Sequence, residues 1–157
     1  MVDFKETRED APEAERARRM AVLAQADGRE LARLMSGLGL DPVFSMVRGP
    51  ETGLVTLRGR IGGGGSPFNF GEATVTRATV RLEDGAVGHA WMLGRDHAKS
   101  RLAAVVDALA SDPARTADIE KCIIAPLQEA ARTADARKRG ETAATRVDFF
   151  TMVRGED

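Results

Sequence analysis

The sequence has few of the side chains that form disulfides or bind metal ions. Its 157 residues include one cysteine, Cys122, and two histidines, His89 and His97. A single cysteine cannot form an internal disulfide, so the chain is compatible with a reducing compartment. Catalytic zinc requires three protein ligands and an open fourth position, and the chain contains no HExxH or CxxC motif. We therefore expect this chain to bind neither a metal ion nor another cofactor.

These three residues also have ordinary structural interpretations. His89 and His97 flank the predicted strand-to-helix turn that contains GRD, so a shared metal ion is conceivable. More commonly, a histidine in such a place bonds to a neighbour or lies in the first turn of a helix. Cys122 lies in KCIIA, an apolar helical context, where a thiol is more often a buried packing group than a nucleophile.

The chain also lacks an excess of charge and a long apolar run. Its formal net charge is -1 and its pI is about 6.2, which gives no general reason to expect nucleic acid or a membrane as a partner. MVDFKETREDAPEAERARR has no apolar stretch of the signal-peptide kind, and no segment approaches the length of a transmembrane helix. With 43% hydrophobic and 30% charged residues, the composition is globular. We expect a single cytoplasmic domain over residues 1–157.

Helical periodicity marks residues 1–40. The segment APEAERARRMAVLAQAD is amphipathic, and RELARLMSGLG repeats apolar residues at helical spacing. The pair Asp27-Gly28 separates them, which predicts two helices joined by a turn. The pair Asp41-Pro42 then marks a boundary.

Residues 43–93 alternate with a period of two instead. GLVTLRGRIG, ATVTRATVRL and AVGHAWMLG are typical of strands, and the EDG at residues 83–85 indicates a hairpin turn. A glycine-rich loop, residues 61–71, separates the first two. This pattern predicts antiparallel strands.

Residues 96–140 return to helical spacing. Asp96 occupies an N-cap position, and Pro113 marks the start of a second helix. Because proline cannot donate the helical hydrogen bond, Pro126 predicts a break or kink in that second helix. The polar residues 131–141 suit a solvated helix or one that covers a partner.

The segment at residues 145–154 is again strand-like. Its phrase FTMVRGED is similar to FSMVRGPE at residues 44–51. Unless this match is chance, strands 43–48 and 145–153 occupy related positions in one sheet, an arrangement that makes domain swapping easy. Together, these patterns predict an α+β fold with an antiparallel sheet of about five strands, flanked by N-terminal and C-terminal helices.

The glycine run IGGGGSPFNFGEATVTR matches no phosphate-binding motif. No lysine follows the glycines, and no helix opens after them, so neither a P-loop nor a dinucleotide fingerprint is present. The glycines could still form an anion nest among neighbouring arginines. Alternatively, they form a crossover whose apolar tip packs on its own sheet or on a partner. We favour a partner, because Pro67, Phe68 and Phe70 would otherwise be exposed.

Alternation divides the strand GEATVTRATVRL into two faces: Glu72, Thr74, Thr76, Ala78 and Val80 on one, and Ala73, Val75, Arg77, Thr79 and Arg81 on the other. Neither face is cleanly apolar, so part of the strand faces something other than bulk core. Its threonines and arginines beside Arg58 and Arg60 suit an anionic ligand or an acidic partner surface. A solvated face with cross-strand pairs fits the pattern equally well. The candidate residues are Arg58, Arg60, Gly62, Gly63, Gly64, Gly65, Glu72, Thr74, Arg77 and His97.

Three blocks carry a family resemblance over nearly the whole chain. They are VRGPETGLVTLRGRIGGGGSPFNFGEATVTRATVRL, VGHAWMLGRDHAKSRLAAVVDAL and TRVDFFTMVRG. These blocks contain the specific motifs RGRIGGGG, GEATVTR and GHA. Together the blocks resemble PhnG, a family of subunits of the bacterial carbon–phosphorus lyase machinery for phosphonate use.

The resemblance implies a subunit of α-D-ribose 1-methylphosphonate 5-triphosphate synthase rather than an enzyme active alone. The family works with PhnH, PhnI and the accessory protein PhnL to transfer the ribosyl triphosphate moiety of ATP to an alkylphosphonate, with release of adenine. PhnG, PhnH, PhnI and PhnJ form the core, and the nucleosidase chemistry is attributed to PhnI. MgATP is then the substrate of the complex. A purely structural subunit without substrate contact remains an alternative, and the isolated chain could form a homodimer or swapped dimer.

Overall fold

Two helices open the part of the chain that the computed structural model describes, residues 10–61 and 65–145. Helix α1 spans Asp10–Gln25 and helix α2 spans Gly28–Gly37. The predicted turn between them is confirmed. The Asp27 carboxylate caps α2 by accepting hydrogen bonds from the backbone N–H groups of Arg29, at 2.8 Å, and Glu30, at 3.1 Å.

Three antiparallel strands follow in the order β1-β2-β3. They are β1 (Phe44–Gly59), β2 (Phe68–Leu82) and β3 (Val87–Leu93). The predicted hairpin between β2 and β3 is present, because Leu82 and Ala86 bond across it and Gly85 adopts a φ of 90°. Glycine suits this position because the left-handed backbone leaves no room for a Cβ.

The expectation of about five strands is not confirmed, since the described residues contain three. The FSMVRG and GLVTLRG segments form one strand, β1. Its pairing with β2 shifts register twice between Met46 and Glu51, which lets the strand continue past Pro50. A proline is tolerated there because β1 is an edge strand in the described sheet. The predicted strand at residues 145–154, and its relation to strand 43–48, lie outside the described residues except for Thr145.

Helix α3 spans His97–Leu109, and its predicted N-cap is confirmed because Asp96 accepts from the Lys99 N–H at 2.8 Å. Helix α4 spans Pro113–Ile119 and is capped by Asp112. It continues through a π-helical turn, Glu120–Ile124, into α5, Ala125–Ala144.

The helix does not break at Pro126, but its regular α-helical geometry is interrupted just before the proline, at Glu120–Ile124. The wider π-helical turn lies directly before the proline. Such a turn relieves the missing N–H and the clash of the proline ring with the preceding turn. Among the described helices, none is long and apolar enough to cross a membrane.

The core lies between α3 and one face of the sheet. The β2 side chains Thr76, Ala78, Val80 and Leu82 alternate onto this face and are buried. Helix α3 approaches β3 so closely that a Cβ on Gly88 would lie 2.0 Å from the Ala104 carbonyl oxygen. Helices α1, α2 and α4 and the π-helical turn complete the core with a group of buried apolar residues: Leu23, Leu31, Met35, Ile119, Ile123 and Ile124.

A buried carboxylate joins three of these elements. Asp107 of α3, with a side chain 2% exposed, receives the Arg16 guanidinium of α1 at 2.9 and 2.7 Å. It also accepts the backbone N–H of His89 in β3 at 2.8 Å. The hydrogen bond to Asp107 raises the pKa of Arg16, against the opposing effect of burial.

Candidate functional site

The β1–β2 hairpin extends beyond the third strand. β3 pairs only with residues 75–81 of β2, so residues 68–74 have residues 54–59 of β1 as their described strand partner. We call residues 54–59 and 68–74 the hairpin arm. A two-stranded ribbon is only marginally stable in water on its own. The hairpin arm is therefore the part of the sheet whose stability would increase most if another protein segment packed against it.

Large apolar side chains are exposed along the hairpin arm and at its end. Leu54 is 63% exposed, Phe68 43%, Phe70 60%, and Ile61 just beyond β1 is 80% exposed. The two phenylalanine rings meet edge to face, with centroids 6.4 Å apart. The Phe70 ring also covers Gly59, where a Cβ would lie 2.8 Å from a ring carbon. The predicted apolar tip thus packs on its own strand while most of its surface remains available.

The structure divides the sequence-predicted patch between the two faces of the sheet. Glu72 and Thr74 lie opposite Thr56 and Leu54 of β1, on the face that α3 covers further along. Arg77 lies on the other face, where its Nε donates to Glu51 Oε1 at 2.7 Å. One small ligand therefore cannot contact Arg77 and Glu72 on a common surface. The sequence pattern had already put these residues on different faces.

The remaining arginines and glycines of the patch lie at the far end of the hairpin. Arg58 is exposed and pairs with Asn69, where the register skips Phe70. Arg60 is exposed in the connection between the strands. Gly65 is exposed as well, whereas Gly62, Gly63 and Gly64 lie outside the described residues.

His97 begins a chain of directed hydrogen bonds at the base of the hairpin arm. Thr76 Oγ1 donates to the Gly94 carbonyl at 2.6 Å, so it must accept in its 3.2 Å contact with Thr52 Oγ1. The single proton of Thr52 is used there, so Thr52 accepts from His97 Nε2 at 2.8 Å. The chain therefore places a proton on Nε2 and leaves Nδ1 unprotonated in the neutral ring.

We call the face of the sheet opposite α3 the open face. Its centre is a cluster in which Glu51 Oε1 contacts both Arg77, at 2.7 Å, and Arg48 Nη1, at 3.5 Å. Trp91 lies across from Arg77 on β3 and is 55% exposed. A groove of about 530 Å³ runs along this face beside Trp91, and a smaller depression of about 200 Å³ adjoins it.

The two histidines do not meet. His89 lies on the open face, where its Nδ1 contacts Thr79 Oγ1 at 3.1 Å, whereas His97 bonds to Thr52 on the α3 side. Within residues 10–61 and 65–145, no three His, Cys, Asp or Glu side chains are close enough to hold a metal ion. Cys122 is half-buried in the π-helical turn.

Sequence reasoning missed Thr52, Glu51, Arg48 and Trp91 as members of these clusters. The β1 residues were missed because their positions depend on the register shifts near Pro50. Trp91 offered a signal, because it is the only tryptophan and alternates with Ala90 and Met92, which are buried.

Comparisons with known proteins identify the family of this chain. Residues 14–155 match the model of the phosphonate metabolism protein PhnG. A protein of Rhizobium meliloti (strain 1021), described as alpha-D-ribose 1-methylphosphonate 5-triphosphate synthase subunit PhnG, is 54% identical over 159 residues, which cover 100% of both chains. The chain therefore belongs to the PhnG family.

Proposed function

We propose that this chain is a subunit of an α-D-ribose 1-methylphosphonate 5-triphosphate synthase. The observation that carries the proposal is the 54% identity to the Rhizobium meliloti subunit over the full length of both chains. The complex acts on MgATP and an alkylphosphonate in organophosphonate catabolism, transfers the ribosyl triphosphate moiety and releases adenine.

We further propose PhnH, PhnI and PhnJ as the stable partners and PhnL as a transient one. Without them, the exposed apolar side chains of the hairpin arm favour self-association as a homodimer or a swapped dimer. The synthase activity then belongs to the assembly, and the isolated chain has no turnover of its own.

The hairpin arm is the assembly element in this proposal. It combines a ribbon that lacks a third described strand with the exposed rings of Phe68 and Phe70. Burial of these rings against a partner would stabilise the assembly. Arg58 and Arg60 at the same end would then contact acidic side chains of the partner or phosphate groups of the shared substrate.

Co-purification of the tagged chain with PhnH, PhnI and PhnJ tests the assembly role. We expect the double variant Phe68→Ser/Phe70→Ser to fold but to lose capture of the partners. Val43→Ser is the matched control, because Val43 is 64% exposed but lies outside the hairpin arm. Failure of the wild-type chain to capture any partner would refute the subunit proposal itself. Unchanged capture by the double variant would refute only the role of the arm.

Arg58→Ala and Arg60→Ala separate substrate contact from assembly. An intact complex with lower synthase turnover would indicate that these arginines handle substrate phosphates. A lost complex would assign them to assembly and favour the alternative, a subunit without substrate contact. If both variants leave assembly and turnover unchanged, the arginines have neither role.

A further inference from the structure

The open face carries apolar surface that no described element covers completely. An antiparallel sheet can leave one face in water, but that face is then normally polar. Helix α3 covers only one face of this sheet. On the other side, Trp91 is 55% exposed and Leu93 is 70% exposed. Both residues alternate along β3 with side chains that are buried under α3. Their exposure is therefore set by their position in the sheet and not by the end of a strand.

The open face also has the shape and composition of a protein-binding groove. The groove of about 530 Å³ is bordered by Met20 of α1, Val47 of β1 and Trp91 of β3, and it adjoins the depression beside Arg77. Tryptophan and arginine are the residues most enriched at energetic hot spots of protein interfaces. An open groove lined by four elements, α1 and all three strands of the described sheet, suits a polypeptide segment better than an enclosed small molecule.

The charge of the open face indicates which kind of polypeptide segment would bind there. Arg48, Arg77 and Arg81 lie on this face, and Glu51 is the carboxylate among them. One oxygen of Glu51 contacts both Arg48 and Arg77, so the two guanidiniums retain most of their ten N–H donors for other acceptors. A second carboxylate can bind them in a bidentate manner.

A second copy of this chain would bind the open face poorly. An isologous dimer through the open face would bring together two copies of the same patch, each with more arginines than carboxylates, so positive charge would predominate on both sides of the interface. Like charges facing each other across an interface cost several kilocalories per mole. The surplus of positive charge therefore points to an unlike, acidic partner.

We propose that the open face docks an acidic, partly apolar segment of another subunit of the synthase. An apolar side chain of that segment occupies the groove against Trp91, and its carboxylate binds Arg77 and Arg48. This proposal rests on the proposed function for the existence of the complex. It adds an interface separate from the hairpin arm.

Charge reversal tests the docking of the acidic segment. We expect Arg77→Glu and Trp91→Ala to weaken capture of the subunit that binds the open face by about 30-fold or more, the usual cost of losing a hot spot. Arg81→Glu is the matched control: it makes the same charge change on the same strand and face, but Arg81 borders neither depression. Thermal unfolding of each variant confirms that it is folded. Equal capture by Arg77→Glu and Arg81→Glu would overturn the proposal.

Photo-crosslinking provides a measurement that does not depend on a destabilising substitution. A benzophenone amino acid in place of Val47, which borders the groove and is 52% exposed, is irradiated in the reconstituted complex, and the linked peptide is sequenced by mass spectrometry. A peptide of another subunit that contains Asp or Glu supports the proposal. A peptide of a second copy of this chain, a peptide without acidic residues, or no crosslink in an assembled complex overturns it. If no complex assembles with the wild-type chain, the proposed function fails and this inference fails with it.

Discussion

Gly88→Ala tests whether the close approach of α3 to β3 holds the fold together. The new Cβ would lie 2.0 Å from the Ala104 carbonyl oxygen, 2.4 Å from the Ala108 nitrogen and 2.8 Å from the Ala108 Cβ. Two of these atoms belong to helical backbone, so rotation of a side chain cannot relieve the contact. Helix α3 would have to move away from the sheet by about 1 Å or more to restore ordinary contact distances.

The size of the effect follows from what α3 contacts. The segment Ala103–Ala110 is buried throughout, so a shift of α3 weakens contacts along its whole length. A gap of about 0.5–1 Å forfeits a quarter to a half of the attraction of each contact. We therefore expect a loss of about 3 kcal/mol in the free energy of unfolding, the upper part of the usual range for overpacking. That is a large share of the roughly 5–15 kcal/mol that stabilises a typical protein.

Urea denaturation followed by circular dichroism measures this loss. Gly53→Ala is the matched control, since Gly53 also lies in a strand and its added Cβ meets nothing within 4 Å. We expect the control to change the free energy of unfolding by no more than about 0.5 kcal/mol. If Gly88→Ala lowers the free energy of unfolding no more than Gly53→Ala does, the close approach of α3 to β3 does not exclude a side chain at position 88.

Two further predictions concern individual hydrogen bonds. Nitrogen NMR of neutral His97 should detect the Nε2–H tautomer, because the Gly94 carbonyl fixes the direction of the bonds through Thr76 and Thr52; detection of the Nδ1–H tautomer would contradict that direction. The N–H groups of Glu30 and then Arg29 lower the pKa of Asp27. The ionised cap therefore adds stability above the ordinary pKa of aspartate, and this stability is lost as the pH falls through the lowered pKa. Asp27→Asn keeps a capping side chain without this titration. Between about pH 5 and pH 2, its free energy of unfolding should fall less than that of the wild-type chain, and an equal fall would contradict the assignment.

Local signals in the sequence were sufficient for the elements that depend on near neighbours. Asp96 and Pro113 marked the starts of helices because capping groups act on N–H groups two or three residues away. Gly85 marked the hairpin turn because the positive φ of a tight turn is a local requirement that glycine meets. The family resemblance was likewise readable from the sequence, and the comparisons confirm it.

The candidate site was only partly predictable. The alternation of β2 correctly separated Glu72 and Thr74 from Arg77, but the proposed patch combined them. Strand alternation could not reveal the partners of Arg77, because two register shifts in β1 decide that Glu51 and not a neighbour lies opposite it.

The sequence alone determined the α+β class, the helix caps, the β2–β3 turn and the family, since each depends on periodicity, short-range hydrogen bonds or similarity along the chain. Tertiary structure decided how β1 continues past Pro50, how the helix continues through Pro126 and which side chains share a face of the sheet. It also joined Arg16 to Asp107 across 91 positions and His97 to Thr52 across 45. These contacts depend on how whole elements pack together, and no local pattern of residues encodes that packing.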